Sequence, residues 1–403
     1  MNDRKFAFII CVNNELYFEE CKYYISRLYM PEGYETDILE IREADSMCAA
    51  YNLGMQSTDA KYKIYMHQDV FIINEYFLRD ILERFRKRPE VGMIGMFGGT
   101  RLPKNGIVFD SWNEGKCDVR EPDMAYHLYL NESTDQDIVV EAVDGSMIAT
   151  QYDILWREDL FSHFDFYDVS QSLEFKKAGY QILVPYQKKP WMIHDCSFCK
   201  LGGYDEDRKI FLKHYSEFLS TERESGLLYN KEWDELSSRL ADCIREMLES
   251  GKWQEAVAAL QIYHQKRFKD TDLEILSNMA EIYQLEKKSG VLQTFFAGIE
   301  SYEGMYEKYI RTRFLLRRME LGFERAAYEA VEQEIANESI SYDAVMVFMI
   351  HSAADKMAVI RCLKNIYKES GQIGNLKRME LLTPSIAGMG IPVTSGKRAT
   401  QKE

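Results

Sequence analysis

Between Phe6 and Ile73 short apolar runs alternate with helically spaced segments, and few folds accept that order. Phe6–Val12 (FAFIICV) is a continuous apolar run with β-branched and aromatic members, the pattern of a strand buried on both faces. It stops at Asn13-Asn14, residues suited to a turn. Glu15–Leu28 carries Leu16, Phe18, Cys21, Tyr24, Ile25 and Leu28 at helical spacing and gives way to Pro31-Glu32-Gly33. Thr36–Ile41 reads as a second strand, Met47–Met55 as a second helix and Ile64-Tyr65-Met66 as a third strand. Such β-α-β-α-β alternation implies a parallel sheet with right-handed crossovers. Ligands bind at the carboxyl ends of strands in sheets of this kind. Asn13, Arg42 and Asp69 fall at those ends, so they are expected on one rim.

The third strand ends abruptly in His67-Gln68-Asp69 before Val70–Ile73 resume the apolar character. An ionised carboxylate buried without a partner is costly, so an acid at a buried strand end is either paired or holding a metal. Mg²⁺ and Mn²⁺ favour carboxylate oxygens and clamp phosphates in turn. The plainer alternative is an aspartate that caps the following turn.

Phe77–Arg86 is amphipathic and becomes basic at its end (Arg84, Arg86, Lys87, Arg88), as expected of a solvated helix terminus that complements the dipole. Val91–Phe97 reads as another strand, closed by Gly98-Gly99. From Thr100 to Asp137 the chain is polar and irregular, and a long loop inside a compact domain tends to be functional. Val139–Ala149 carries Asp144-Gly145 between two apolar halves, which suggests a bulge or the close approach of a bound group. Asp168 sits where a helix over Gln171–Lys177 begins, in the place of an N-cap. His194 lies on a short apolar run before a glycine-rich turn, where a structural role competes with a ligand role.

These segments resemble a family. Val12-Asn13-Asn14, Ala50-Tyr51-Asn52, His67-Gln68-Asp69-Val70, Val143-Asp144-Gly145, Phe166-Tyr167-Asp168-Val169 and the later His194 recur in this order in bacterial family 2-like glycosyltransferases of GT-A fold. The similarity is greatest to the branch with an HQDV strand end in place of Asp-x-Asp. It covers about Phe6 to Gly203 and implies an α/β domain with a GT-A-like, mostly parallel sheet flanked by helices. The resemblance further implies Asp69 as metal-holding acid with His194 as a further ligand, and Asp168 as catalytic base. Asn13, Arg42, Asn52 and Gln68 would line the nucleotide side, and Asp144-Gly145 the acceptor side. A divalent ion (Mn²⁺ or Mg²⁺) and a nucleoside-diphosphate sugar, UDP favoured, follow as cofactor and donor. The acceptor would be a hydroxyl on a glycan, protein or lipid-linked saccharide, attacked with inversion. The sequence departs from the pattern at His67-Gln68, where Asp-x-Asp enzymes carry an earlier acid, and at Tyr167, where many relatives carry Glu.

Two rival readings stand beside this one. A nucleotidyltransferase would want a glycine-rich basic loop after the first strand, where this chain has Asn13-Asn14-Glu15. A non-catalytic scaffold would keep the fold and lose metal-dependent nucleotide binding.

Past Tyr204 the periodicity turns helical. Helix starts follow Gly251, Gly290 and Gly322, loosely the period of tetratricopeptide-type hairpins, and Trp253 with Ala256 fits their pattern. The expected organisation is a transferase domain over 1–220, an all-α helical-hairpin domain over 221–385 and a flexible tail over 386–403. Such an array presents a concave surface to a protein partner, a second copy or the acceptor. Its aromatic stripe (Tyr302, Tyr306, Tyr309, Phe314) reads as core before it reads as a sugar platform.

The 403 residues carry 65 acidic against 50 basic side chains, a net charge of −15, which argues against nucleic acid as a partner. The apolar run in Met1–Asn14 is too short for a secretory signal, and no stretch reaches membrane-spanning length. A cytoplasmic protein is expected, able to work peripherally at a membrane. The eight cysteines are scattered, as for reduced thiols, and the lone Cys196-Ser197-Phe198-Cys199 lacks the second pair a zinc site needs.

Overall fold

The computed structural model describes residues 1–120, 125–131, 135–195, 204–221, a discontinuous set between 236 and 260, 302–336, 356–387 and 393–394. Its centre is a seven-stranded sheet of order β10-β13-β5-β12-β3-β1-β2. Here β1 is Asn2–Cys11, β2 Glu35–Ile41, β3 Ala60–His67, β5 Val91–Gly95, β10 Ile138–Val140, β12 Met147–Thr150 and β13 Gln181–Val184. Phe6 to Ile10 of β1 are wholly buried, so both faces of this strand meet packed layers and its sequence cannot alternate.

The helices divide between those faces. Phe8, Ile10, Ile64 and Met66 join α1 (Glu15–Ser26) and α3 (Phe77–Lys87) in one core. Ile9, Tyr65, Met93 and Ile148 join α2 (Met47–Gln56), α4 (Tyr167–Lys177) and α5 (Tyr204–Tyr215) in the other. The Asn14 carboxamide caps α1 by accepting from Leu16 and Tyr17 N–H, and the Ser46 hydroxyl caps α2 through Ala49 N–H. The basic end of α3 is less solvated than expected. Arg84 forks onto Asp137 and lies over the Trp191 ring at 5.3 Å.

The sheet is mixed, which corrects the expectation of a mostly parallel one. The β1–β2, β1–β3 and β13–β5 pairs are parallel, but β12 runs antiparallel to both β3 and β5, and β10 to β13. Parallel pairing holds where helices form the crossovers. β12 instead has no helical crossover before it: Ala142-Val143 already run antiparallel to Gly98-Gly99, and β12 continues that direction past Asp144-Gly145 along β5.

A second sheet, of order β11-β6-β8-β14-β4, was not legible beforehand. It comprises β4 (Val70–Ile72), β6 (Phe97–Gly99), β8 (Glu114–Arg120), β11 (Ala142–Val143) and β14 (Met192–His194), with β9 (Ala125–Leu130) pairing along β8. The segment expected as an irregular loop thus holds a hairpin. Its strand signal is hidden because the buried polar residues are paired, Asp118 with His127, Glu114 with Asn131 and Arg120 with Glu320. The run expected as one strand over Val91–Phe97 splits, β5 in the first sheet and β6 in the second. The chain passes between sheets in the same way at His67-Gln68-Asp69 and at Asp144-Gly145, so these two tripeptide-scale turns share one seam.

α5 returns to the domain, where Phe211 and Tyr215 pack with Phe166, and β15 (Leu219–Thr221) pairs with β7 (Leu102–Pro103). The expected boundary after 220 leads into residues 222–235, outside the described residues, as do Gly251, Gly290, Trp253 and Cys196–Cys199. Beyond lie α6 (Tyr302–Leu321), α7 (Arg325–Ala336), α8 (Lys356–Glu369) and α9 (Ile373–Ala387). Gly322, with φ of +68°, supplies the left-handed turn between α6 and α7. Phe314 packs edge-on to Tyr17 and Phe71, as core rather than platform, while the side chains of Tyr302, Tyr306 and Tyr309 lie outside the described residues. Val393–Thr394 form β16, paired in parallel with His127–Leu128 of β9, while residues 388–392 and 395–403 of the expected tail lie outside the described residues. Among the described residues no helix is long and apolar enough to cross a membrane.

Candidate active site

His67 closes β3, Asp69 precedes β4, and His194 closes β14, which runs antiparallel to β4 with His194 opposite Val70. The Asp195 N–H donates to the Asp69 carbonyl at 2.9 Å and locks the two strand ends together. One ligand atom from each of His67, Asp69 and His194 lies within 4.8 Å of the others. Asp69 Oδ1 is 3.6 Å from His194 Nε2 and 3.9 Å from His67 Nδ1, too long for hydrogen bonds. This oxygen is buried and has no hydrogen-bond partner among the described residues. Buried polar atoms are normally satisfied, so an orphaned carboxylate oxygen facing two imidazoles calls for a cation.

The electrostatics agree with a shared charge. Burial would raise the Asp69 carboxyl, but the imidazoles of His194 and His67 outweigh it and hold the group below its ordinary range. Burial works against charge on His194, yet Asp69, Asp144 and Asp195 lift it above the usual value. Burial depresses His67, and His194 adds to that. His67 Nε2 lies 2.6 Å from the Tyr167 hydroxyl. An imidazole that offers Nδ1 to a metal carries its proton on Nε2, which then donates to the tyrosine oxygen and fixes the ring.

Tyr167 and Asp168 open α4. The preceding residue, Phe166, has φ of +56°, a left-handed conformation that a bulky side chain rarely adopts. Phe166 occupies the N-cap, so Asp168 stands in the first turn and not at the cap expected for it. Its carboxylate accepts from Gly145 N–H at 2.9 Å and Val169 N–H at 2.8 Å. Burial and the charge of Asp144 raise it to about 7 in spite of those two donors. The Asp144 carboxylate accepts from Ser146 N–H and shapes the turn. A Cβ on Gly145 would stand 2.1 Å from the Tyr167 hydroxyl, so only glycine lets the turn close over that ring. Gly145→Ala should therefore push Tyr167 off His67 and destabilise the fold by about 1–3 kcal/mol. A thermal melt beside an Mn²⁺ titration checks this. An unchanged melt and unchanged titration would refute it.

The remaining expected residues divide. The Gln68 side chain accepts from Asn13 and Asn14 N–H at 2.9 Å each, and its amide donates to the Asn13 side chain, so Asn13 and Gln68 stand together at the rim. Arg42 is exposed and forks onto Glu15 and Glu40. Asn52 is not brought to the rim. It is buried, and its amide answers both the carbonyl and the N–H of Trp156 at 2.9 Å. Sequence reasoning did not bring His67 beside Asp69 and His194, or Tyr167 against His67, because the turn between the two sheets sets their approach rather than alternation along one strand.

A model of a glycosyltransferase-like family matches residues 7–215, just over half of the 403-residue chain. The chain belongs to that family. The matched span holds His67, Asp69, Asp144, Asp168 and His194, so the seam between the two sheets is the transferase domain's candidate active site. No curated protein matches the chain. Among solved structures this glycosyltransferase-like chain is similar to the crystal structure of A197 from STIV, at 10% identity and TM-score 0.29, over 45% of this chain and 80% of that one. That likeness is too slight to carry an argument.

Proposed function

We propose that the protein is a metal-dependent glycosyltransferase that moves a sugar from a nucleoside-diphosphate donor, UDP favoured, to an acceptor hydroxyl with inversion. The observation that supports it most is the buried, unpartnered Asp69 Oδ1 between the His67 and His194 imidazoles, in a family of glycosyltransferase-like proteins. Those three residues would hold the ion, which supplies Lewis acidity to the departing diphosphate. Mg²⁺ wants a near-octahedral shell of oxygens, so two imidazoles turn the choice toward a first-row ion such as Mn²⁺.

Asn13 and Gln68, linked across the rim, would frame the nucleotide side, with Arg42 beyond them. Asp144 and Gly145 would border the acceptor. Asp168, buried and raised to about 7, is suited to take the acceptor hydroxyl's proton near neutral pH. A base that attacks through its acceptor from the side opposite the leaving group inverts the anomeric centre. The acceptor is a glycan, protein or lipid-linked saccharide, and α6 to α9 offer a surface for it, for a protein partner or for a second copy.

Titration calorimetry of UDP and GDP with Mn²⁺, with Mg²⁺ and with EDTA tests the donor site. Binding of UDP that requires Mn²⁺ is expected. Absence of binding by either nucleotide under every condition would sink this reading.

A further inference from the structure

Asp195, the residue after His194, is buried, with its side chain 1% exposed. One carboxylate oxygen accepts from Arg313 and the other from Arg317, both buried and one turn apart on α6. Arg317 also lies 4.5 Å over the Phe71 ring, and Phe314 packs edge-on to the same ring. Phe71 sits on β4 directly opposite Ile193 of β14. One face of α6 therefore grips both strands whose ends carry Asp69 and His194.

We propose that Arg313 and Arg317 are positioning residues for the metal site, through which the helical half of the chain sets the geometry of the His194–Asp69 pair. The inference rests on the reading of His67, Asp69 and His194 as metal ligands. The physical warrant is that a buried carboxylate shared by two guanidinium groups, one on each oxygen, has one satisfactory arrangement, and losing either guanidinium strips one buried oxygen of its donor and leaves the other to pull the carboxylate aside. Asp195 N–H holds the Asp69 carbonyl, so any shift of Asp195 moves both ligands at once. Groups that orient metal ligands are commonly worth ten- to a hundredfold in metal affinity when removed. It follows that whatever the helical half binds is coupled to the metal site through α6.

The test uses the full chain and two readouts, Mn²⁺ affinity by calorimetry without nucleotide and the imidazole NMR resonances of His194 in metal-free protein. Arg317→Gln and the milder Arg317→Lys should weaken Mn²⁺ binding ten- to a hundredfold and move the His194 resonances. Lys63→Gln is the control. It breaks another ion pair of a wholly buried cation, with Asp153, which touches neither Asp195 nor a proposed ligand. It should lower the melting temperature and leave both readouts unchanged. If the Arg317 variants lower only the melting temperature, as is expected of Lys63→Gln, the inference is overturned. If the wild type binds no Mn²⁺, the metal reading falls by itself. The His194 resonances then decide, movement in Arg317→Gln supporting the positioning role and constancy refuting it.

Discussion

Asp69→Ala is expected to abolish Mn²⁺-dependent nucleotide binding and to lower sugar transfer on the order of 10³-fold or more. Its carboxylate is the only anionic member of the three-residue cluster, and Oδ1 faces both imidazoles. Two neutral imidazoles remaining in the variant would meet a divalent ion with no opposing charge. A bound metal contributes several kcal/mol of charge stabilisation as a diphosphate departs, and each 1.36 kcal/mol is tenfold in rate. The variant should fold. Oδ1 has no hydrogen-bond partner to strand, and the attraction to the two imidazoles that is lost is offset in part by the relief of desolvation. Calorimetry with Mn²⁺, alongside circular dichroism to verify the fold, decides it. A folded Asp69→Ala that binds Mn²⁺ and UDP as tightly as wild type would refute the assignment.

Asp168→Asn gives the second large effect, with turnover falling about 10²–10⁴-fold, as for loss of a general base. The same residue sets a pH limb. Its folded value of about 7 means that the wild-type base is protonated below that pH, so turnover should fall tenfold per pH unit on the acid side. The residual activity of the variant should lack this limb.

Stability moves the other way. The group titrates near 3.9 in an unfolded chain and about 7 when folded, so the folded state holds the proton more tightly. Its contribution is fully present below the unfolded value and is lost as pH rises through about 7, where a charge is buried beside Asp144. Asp168→Asn should then raise the melting temperature in EDTA at pH 8 relative to wild type, and by less at pH 5. A variant that is less stable at both pH values would show that the carboxylate is chiefly a structural acceptor for Gly145 and Val169.

The family match frames both results. Residues 7–215 belong to a glycosyltransferase-like family, and the end of β3 carries His67 and Asp69 where the Asp-x-Asp pattern that the sequence resembles would put two acids. Tyr167 stands where a second acid is common, and its hydroxyl meets His67. The two positions at which the sequence departs from the motifs it resembles meet in one arrangement, with the Tyr167 hydroxyl 2.6 Å from His67 Nε2.

Some of this was fixed by local sequence. The runs from Phe6 to Met66 determine strands and helices because apolar period and capping residues act within a few positions, and Asn14 and Ser46 cap where their spacing says they should. The convergence of Asn13, Arg42 and Asp69 on one rim follows from the same alternation, since parallel strands bring their carboxyl ends together. Only the tertiary structure decided the rest. The antiparallel β12 and the second sheet depend on pairings between distant strands, and in the neighbouring strands β8 and β9 paired buried polar residues erase the alternation that would have revealed them. Asn52 looked like a ligand residue by motif, and packing turned it to the Trp156 backbone. His67 meets Tyr167 across 100 residues, and Asp195 meets Arg317 across 122. Contacts at such separations are set by how layers stack, a long-range outcome of burial that no short window of sequence contains.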